Sequence, residues 1–243
     1  MAHLSVGTRG ARRRPGPRST AHRSGAAEPT RRALFDAGAR EFAAHGFEGA
    51  SVDRIAAAAR LNKAMIYYHF GSKAKLYAEI LRDMFSAVGA RVRGVAASAA
   101  SPEDKIRQFV EVIAAEAEAR PHFPPIWFRE IADGGVHLDE STAREVAGVI
   151  TMLRDCLHDG VRTGVFVHVS PLLVHGGIVA PLLLFFASKP LRARLEAAGI
   201  AGAAAFDRAE VVRHIQDVTI DVLRGGRRTA ADPRARRTRS RSA

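Results

Sequence analysis

The spacing of apolar positions is helical almost throughout the chain. No stretch shows sustained alternation of β-branched residues bounded by turn pairs, which predicts an all-α fold. Residues 30–45, TRRALFDAGAREFAAH, place Phe35, Ala39 and Phe42 on one helical face. Gly46 follows where a left-handed helix stop suits glycine, and Phe47 can fold back onto the core. Ser51 is an N-cap residue for a short second helix. Val52, Ile55, Ala56 and Ala59 form its apolar side, and Asp53 sits in its positive first turn. Asn62 is the next cap-type residue, so a third helix is predicted from about Lys63 to Phe70. Gly71 ends it, and Ser72 caps a fourth helix from about Lys73 to Ala97.

Two short helices joined by about three residues make a helix-turn-helix. Ile55, Leu61, Ile66 and Phe70 have the spacing to fill the space between them. Gly38 and Glu41 are unusual in the middle of the first helix and lower its expected stability. Further helices are predicted from Pro102, over about Pro125–Asp133, over 139–163, over 171–187 behind a Ser170-Pro171 start, and over 207–226 before a Gly-Gly stop. The expected architecture is a three-helix head (29–76) followed by a larger helical body (77–224), about nine helices.

Charge changes this picture more than size does. The 243 residues carry a net charge of +12. Residues 1–28 hold +5 and 224–243 hold +7, so the span between is neutral. Within it, 29–76 is +4 and 77–223 is −4, which points to the head alone as the part that meets a polyanion. Segments 1–28 and 225–243 read as disordered basic tails that add non-specific phosphate attraction, because neither can bury enough surface to offset chain entropy. The first tail is Arg-rich like a transit peptide but lacks its amphipathic face. The single cysteine, Cys156, excludes an internal disulfide and fits a reducing, cytoplasmic setting. The apolar segment PLLVHGGIVAPLLLFFAS (171–188) is interrupted by His175, Gly176-Gly177 and Pro181. It reads as a buried or subunit-interface helix, not as a membrane span. No metalloprotease, nucleophile-elbow, P-loop or dinucleotide motif is present, and Cys156 and His158 diverge on one helix. No catalytic residue, metal or cofactor is expected.

The chemistry concentrates in LNKAMIYYHFGSKAKLY (61–77), which contains all three tyrosines of the chain. With Ile66 and Phe70 pointing inward, Lys63, Ala64, Tyr67 and Tyr68 fall on the outer side, with Met65 and His69 near the boundaries. Lys63 can donate to guanine edges or phosphate, and Ala64 and Met65 can meet a thymine methyl. Tyr67, Tyr68 and His69 offer donors at phosphate range, as do Ser51 and Lys73 at helix starts. Taken singly, each has a plainer reading as a half-buried aromatic, a packing histidine or a solvated lysine. Their joint placement on one face carries the inference.

The stretch FEGASVDRIAAAARLNKAMIYYHFGSKAKLY, with LFDAGAREFAAHGF before it, resembles the DNA-binding region of TetR/AcrR-type transcriptional repressors. The match is specific over roughly 30–80, and beyond that it is to architecture only. The resemblance implies base reading by Lys63, Ala64 and Met65 with Tyr68 at the edge, and phosphate contacts by Ser51, Tyr67, His69 and Lys73. One departure is Arg60, where the family usually has glycine in the turn. Either it is strained by roughly 1 kcal/mol, or the turn differs, or it adds a phosphate contact. The resemblance further implies a homodimer through helices 171–187 and 207–224, and a double-stranded palindromic operator. It also implies a pocket for a small effector that releases DNA. Phe109, Ile113, His122, Phe123, Trp127, Phe128, Ile131 and Met152 are its candidate lining, and their apolar character points to a lipophilic ligand. A ligand-independent architectural DNA binder is the alternative, favoured by the tails and disfavoured by the large neutral body.

Overall fold

The computed structural model describes residues 21–226, with side chains from residue 27 onward. The described residues form ten helices and no strand: α1 (Ala21–Gly49), α2 (Val52–Ala59), α3 (Ala64–Phe70), α4 (Lys73–Ala97), α5 (Pro102–Ala119), α6 (Phe123–Ala132), α7 (Glu140–Arg162), α8 (Pro171–Ala187), α9 (Lys189–Ala197) and α10 (Arg208–Leu223). The helix not anticipated from the pattern is α9, a polar segment with no buried residue and hence no apolar stripe to read. The helix α1 begins at Ala21, inside the segment read as a tail; the remainder of that tail (1–20), and 227–243 of the other, lie outside the described residues.

The starts and stops follow from local chemistry. Ser72, Ser101, Asp139 and Asp207 each accept a hydrogen bond from a backbone N–H in the first turn of the helix they precede. Gly46 breaks α1 at φ 70°, ψ 178°. This turns Phe47 back against Phe42 and Tyr77, with ring centroids 6.2 and 5.2 Å away.

Two cores share one spine. The first holds Leu34, Phe42, Ile55, Ile66, Phe70 and the N-terminal half of α4, with Ile126 of α6. The second holds Val88 and Val92 of α4 with the apolar faces of α5, α7, α8 and α10. At 25 residues α4 is about 37 Å long and runs through both. Gly38 lets it approach α1, because a Cβ there would lie 2.9 Å from Leu76 Cδ2. The expectation that Gly38 only weakens α1 is therefore incomplete: the same residue seats α4.

No single described helix is long and apolar enough to cross a membrane. The helix α8 continues through Gly176, Gly177 and Pro181. Its Leu172, Leu173 and Leu184 are 63%, 73% and 59% exposed, and Gly176, Gly177 and Ala180 lie exposed between them. On α10, Val218 and Val222 are also about half exposed.

Candidate nucleic-acid interface

The turn between α2 and α3 is built from backbone and one side chain. Arg60 adopts the left-handed region at φ 57°, ψ 40°, and Leu61 N–H reaches back to the Ala56 carbonyl at 2.9 Å. Asn62 Oδ1 then accepts the Ala64 N–H at 2.8 Å, which starts α3. Ile66 and Phe70 are buried, so the opposite side of this two-turn helix must face water. Tyr68 is 77% exposed and Tyr67 53%, with Lys63 and Ala64 exposed beside them. Lys63 Nζ pairs with Asp53 Oδ1 at 3.1 Å, and both groups are open to solvent. Such a pair contributes little and can open at small cost.

The remaining candidates are less free. Met65 is half-buried and packs on the head core. His69 is half-buried with its Nε2 enclosed and unpartnered, and its ring meets Tyr68 edge-on at 4.9 Å. Lys73 donates to the Phe47 carbonyl at 2.9 Å and to that of Ala50 at 3.3 Å, and lies 4.5 Å from the Phe47 ring. It is a staple between α4 and the turn before α2, with one ammonium donor left over. Ser51 occupies the N-cap of α2, but its side chain makes no capping bond. Its N–H donates instead to Glu41 Oε1 at 3.1 Å. The same carboxylate holds Arg54 Nε at 2.7 Å. Burial raises the Glu41 pKa, but the Arg54 and Ser51 hydrogen bonds outweigh it and leave the carboxyl below its ordinary value. Glu41, which looks out of place on α1, therefore anchors α2. Of the three tyrosines, Tyr77 turns away from the α3 face. It is buried and donates to Glu130 Oε2 at 3.0 Å, and burial followed by the Glu130 charge pushes its phenol pKa up.

Glu130 is fully buried on α6 and also binds His137, accepting its backbone N–H at 2.8 Å and meeting Nδ1 at 3.1 Å. The His137 ring lies 4.2 Å from Phe47, and Arg129 donates to the Ala44 carbonyl at 3.0 Å. The end of α6 is thus tied to the head. Its start lines a cavity between α4, α5, α6, α7 and α8. Of the candidate lining residues, Ile113, Phe123 and Trp127 lie along it, together with Phe85, Val88 and His175. The free volume is only about 30 Å³, too little for an organic ligand unless the cavity widens.

The other anticipated lining residues are elsewhere. Ile131, one turn beyond Trp127 at the end of α6, is 56% exposed. Phe109 and Met152 pack in the body core and Phe128 on the head core. His122 precedes α6 outside the cavity, its pKa lowered first by burial and then by Arg120. The polar member missed by the sequence reading is His175. Burial alone lowers its pKa, so it is neutral at pH 7. Its isolation in an otherwise apolar segment was the available signal.

Residues 34–80 match the description "Bacterial regulatory proteins, tetR family", and residues 102–223 match "Tetracyclin repressor-like, C-terminal domain". The HTH-type transcriptional repressor NicS of Pseudomonas putida is 30% identical over 151 residues, 61% of this chain and 71% of that protein. The HTH-type transcriptional repressor SCO4008 of Streptomyces coelicolor is 32% identical over 165 residues, 65% of this chain and 74% of that one. Among solved structures, the regulator PfmR from Thermus thermophilus superposes with a TM-score of 0.59 at 25% identity, covering 77% of this chain and 96% of that one. The fatty acid degradation regulator FadR from Bacillus halodurans gives 0.62 at 19% identity, covering 81% and 97%, a likeness of fold.

Proposed function

From the premise that this chain belongs to the tetR family of bacterial regulatory proteins, and so is a helix-turn-helix DNA-binding transcriptional regulator and not an enzyme, we propose that it represses transcription in the cytoplasm as a homodimer on a palindromic operator and leaves the DNA when a small lipophilic molecule enters its body. The observation that carries the reading is the solvent face of α3, where Lys63, Ala64, Tyr67 and Tyr68 stand exposed over a buried Ile66–Phe70 side. A two-turn helix of this kind fits the major groove by its N-terminal residues. Lys63, released from Asp53, reads a base edge with Ala64, Met65 and Tyr68 beside it. Tyr67, the free Ser51 hydroxyl, His69 and the third donor of Lys73 meet phosphates.

Dimerisation rests on α8 and α10. The bare leucines and glycines of α8 form one stripe of small and apolar residues, and α10 adds Val218 and Val222. A patch of this kind calls for a partner, and a two-fold copy sets two α3 helices about one DNA turn apart.

Effector control follows from α6. Widening the small cavity around Trp127 moves the start of α6, while its end holds Ala44, Tyr77 and His137. The ligand shifts the operator equilibrium only by its difference in affinity between the two states. His175 and the indole N–H of Trp127 are the only polar side-chain groups in the cavity lining, so the ligand is largely apolar with few hydrogen-bonding groups. Selection from random duplexes with the full chain tests the reading. It predicts an enriched two-fold symmetric site bound by two copies of the chain. No enrichment at low ionic strength would refute it.

A further inference from the structure

Away from α3 and the small cavity beside Trp127, the surface holds another concave site. A cleft of about 400 Å³ opens between the C-terminal ends of α5 and α8, α9 and the loop entering α10. That is within the roughly 300–1,000 Å³ of small-molecule sites. The helices α4, α6 and α7 contribute nothing to it, so it is separate from the Trp127 cavity. Its floor is apolar, built on Phe185, Phe186 and Phe206.

Its polar groups are mostly cations: Lys189, Arg192 and Arg208 against the single lining carboxylate of Glu118. Arg208 is paired with Glu118 and also with Glu111, behind the wall. Glu111 and Glu118 neutralise Arg208, and Glu196 beside the cleft accepts the Ala204 N–H at 2.7 Å, which leaves Lys189 and Arg192 as the cations without a carboxylate partner among the described residues. Arg192 is held by neutral groups, the Phe185 carbonyl and Ser188 Oγ, and no carboxylate among the described residues neutralises it. Its guanidinium lies 4.3 Å over the Phe185 ring, and its Nε is enclosed without a hydrogen-bond partner. Lys189 is exposed, with no acidic partner among the described residues. Unneutralised cations above an aromatic floor, in a concavity of this size, complement one chemical class.

We propose that this cleft binds an amphipathic organic anion, a carboxylate on an apolar chain or ring, as a second ligand site distinct from the inner cavity. The carboxylate pairs with Lys189 and Arg192 at the rim, and the apolar part covers Phe185, Phe186 and Phe206. Phe206 also borders the groove beside Pro181 and His214, so an occupant would be felt at the α8–α10 face. The proposal stands on the cleft itself and does not require the operator-binding reading.

Calorimetric titration of the full chain with sodium decanoate tests it, with decanol as the neutral control and Trp127 emission followed in parallel. Trp127 is the sole tryptophan and lines the inner cavity but not the cleft, so it reports which of the two is filled. Lys189→Glu reverses a rim charge. Ala193→Phe, on the exposed side of α9, narrows the cleft without touching either core. Decanoate is expected to bind at least tenfold tighter than decanol, to leave Trp127 emission unchanged, and to lose at least tenfold in each variant. If circular dichroism shows one variant misfolded, the other decides. No heat with decanoate, equal affinity for decanol, or binding that survives in every folded variant would overturn the proposal. Survival with Trp127 quenching would assign the ligand to the inner cavity instead.

Discussion

Arg60 offers a test in which strain and charge separate. It is the only non-glycine with positive φ among the described residues, at 57°. A side chain in the left-handed region costs roughly 1–2 kcal/mol. Arg60→Gly removes that cost but adds unfolded-state freedom worth about 0.4–1 kcal/mol. The expected net gain is about 0.5–1 kcal/mol. Arg60→Ala keeps the Cβ and so keeps the strain. It loses no ion pair among the described residues, so it stays near the parent. Glycine should therefore exceed alanine by roughly 0.5–1 kcal/mol, a difference of about 1–4 °C in Tm for a chain of this size. Melting followed by circular dichroism at one fixed protein concentration reads this, since dimer stability depends on concentration. Both variants delete the guanidinium. If it touches phosphate, both lower the slope of log affinity against log salt by about 1. A glycine variant no more stable than the alanine variant would refute the strain account of this turn.

Other outcomes follow from the same geometry. Tyr77→Phe leaves the buried Glu130 Oε2 with His137 alone, and should cost about 1–3 kcal/mol in urea unfolding. Gly38→Val drives a branched side chain into Leu76, against which a Cβ already measures 2.9 Å, and should cost about 1–3 kcal/mol by the same assay. Asp139 caps α7 through the Thr142 N–H and pairs with Arg82, which hold its pKa at about 2 against an ordinary 3.8. Its stabilisation is thus fully present above pH 4 and lost as pH falls through 2. Because the side chain is 38% exposed, screening reduces this to about 1 kcal/mol. Asp139→Asn should be destabilised by that amount at pH 7 and match the parent near pH 2 in urea titrations. A lipophilic compound that raises Tm should also change Trp127 emission, and a stabiliser that leaves the emission unchanged would place itself outside the inner cavity.

Legibility in the sequence tracked how local the physics is. The head could be read because Gly46, Gly71 and Ser72 act within a few residues, and because Ile66 and Phe70 fix the outer face of α3 by spacing alone. What escaped depends on partners distant in sequence. Glu41 makes sense only once Ser51 and Arg54 are folded against it, and Gly38 only once Leu76 lies 38 positions downstream on a packed α4. The role of Lys73 changes because the carbonyls of Phe47 and Ala50 reach it first. Cavity lining was the least legible. Ile113, Phe123 and Trp127 share apolar character with Phe109 and Met152, and which of them faces a void is set by how five helices meet.

The central claim, that the exposed side of α3 reads DNA, is tested most directly by comparing base preference across variants in a competition between randomised duplexes. Lys63→Ala should change which bases are preferred within each half-site. Tyr67→Phe combined with Lys73→Ala should weaken every duplex alike and leave the preference intact. If Lys63→Ala keeps the parent's preference, α3 is not the reading element proposed for it.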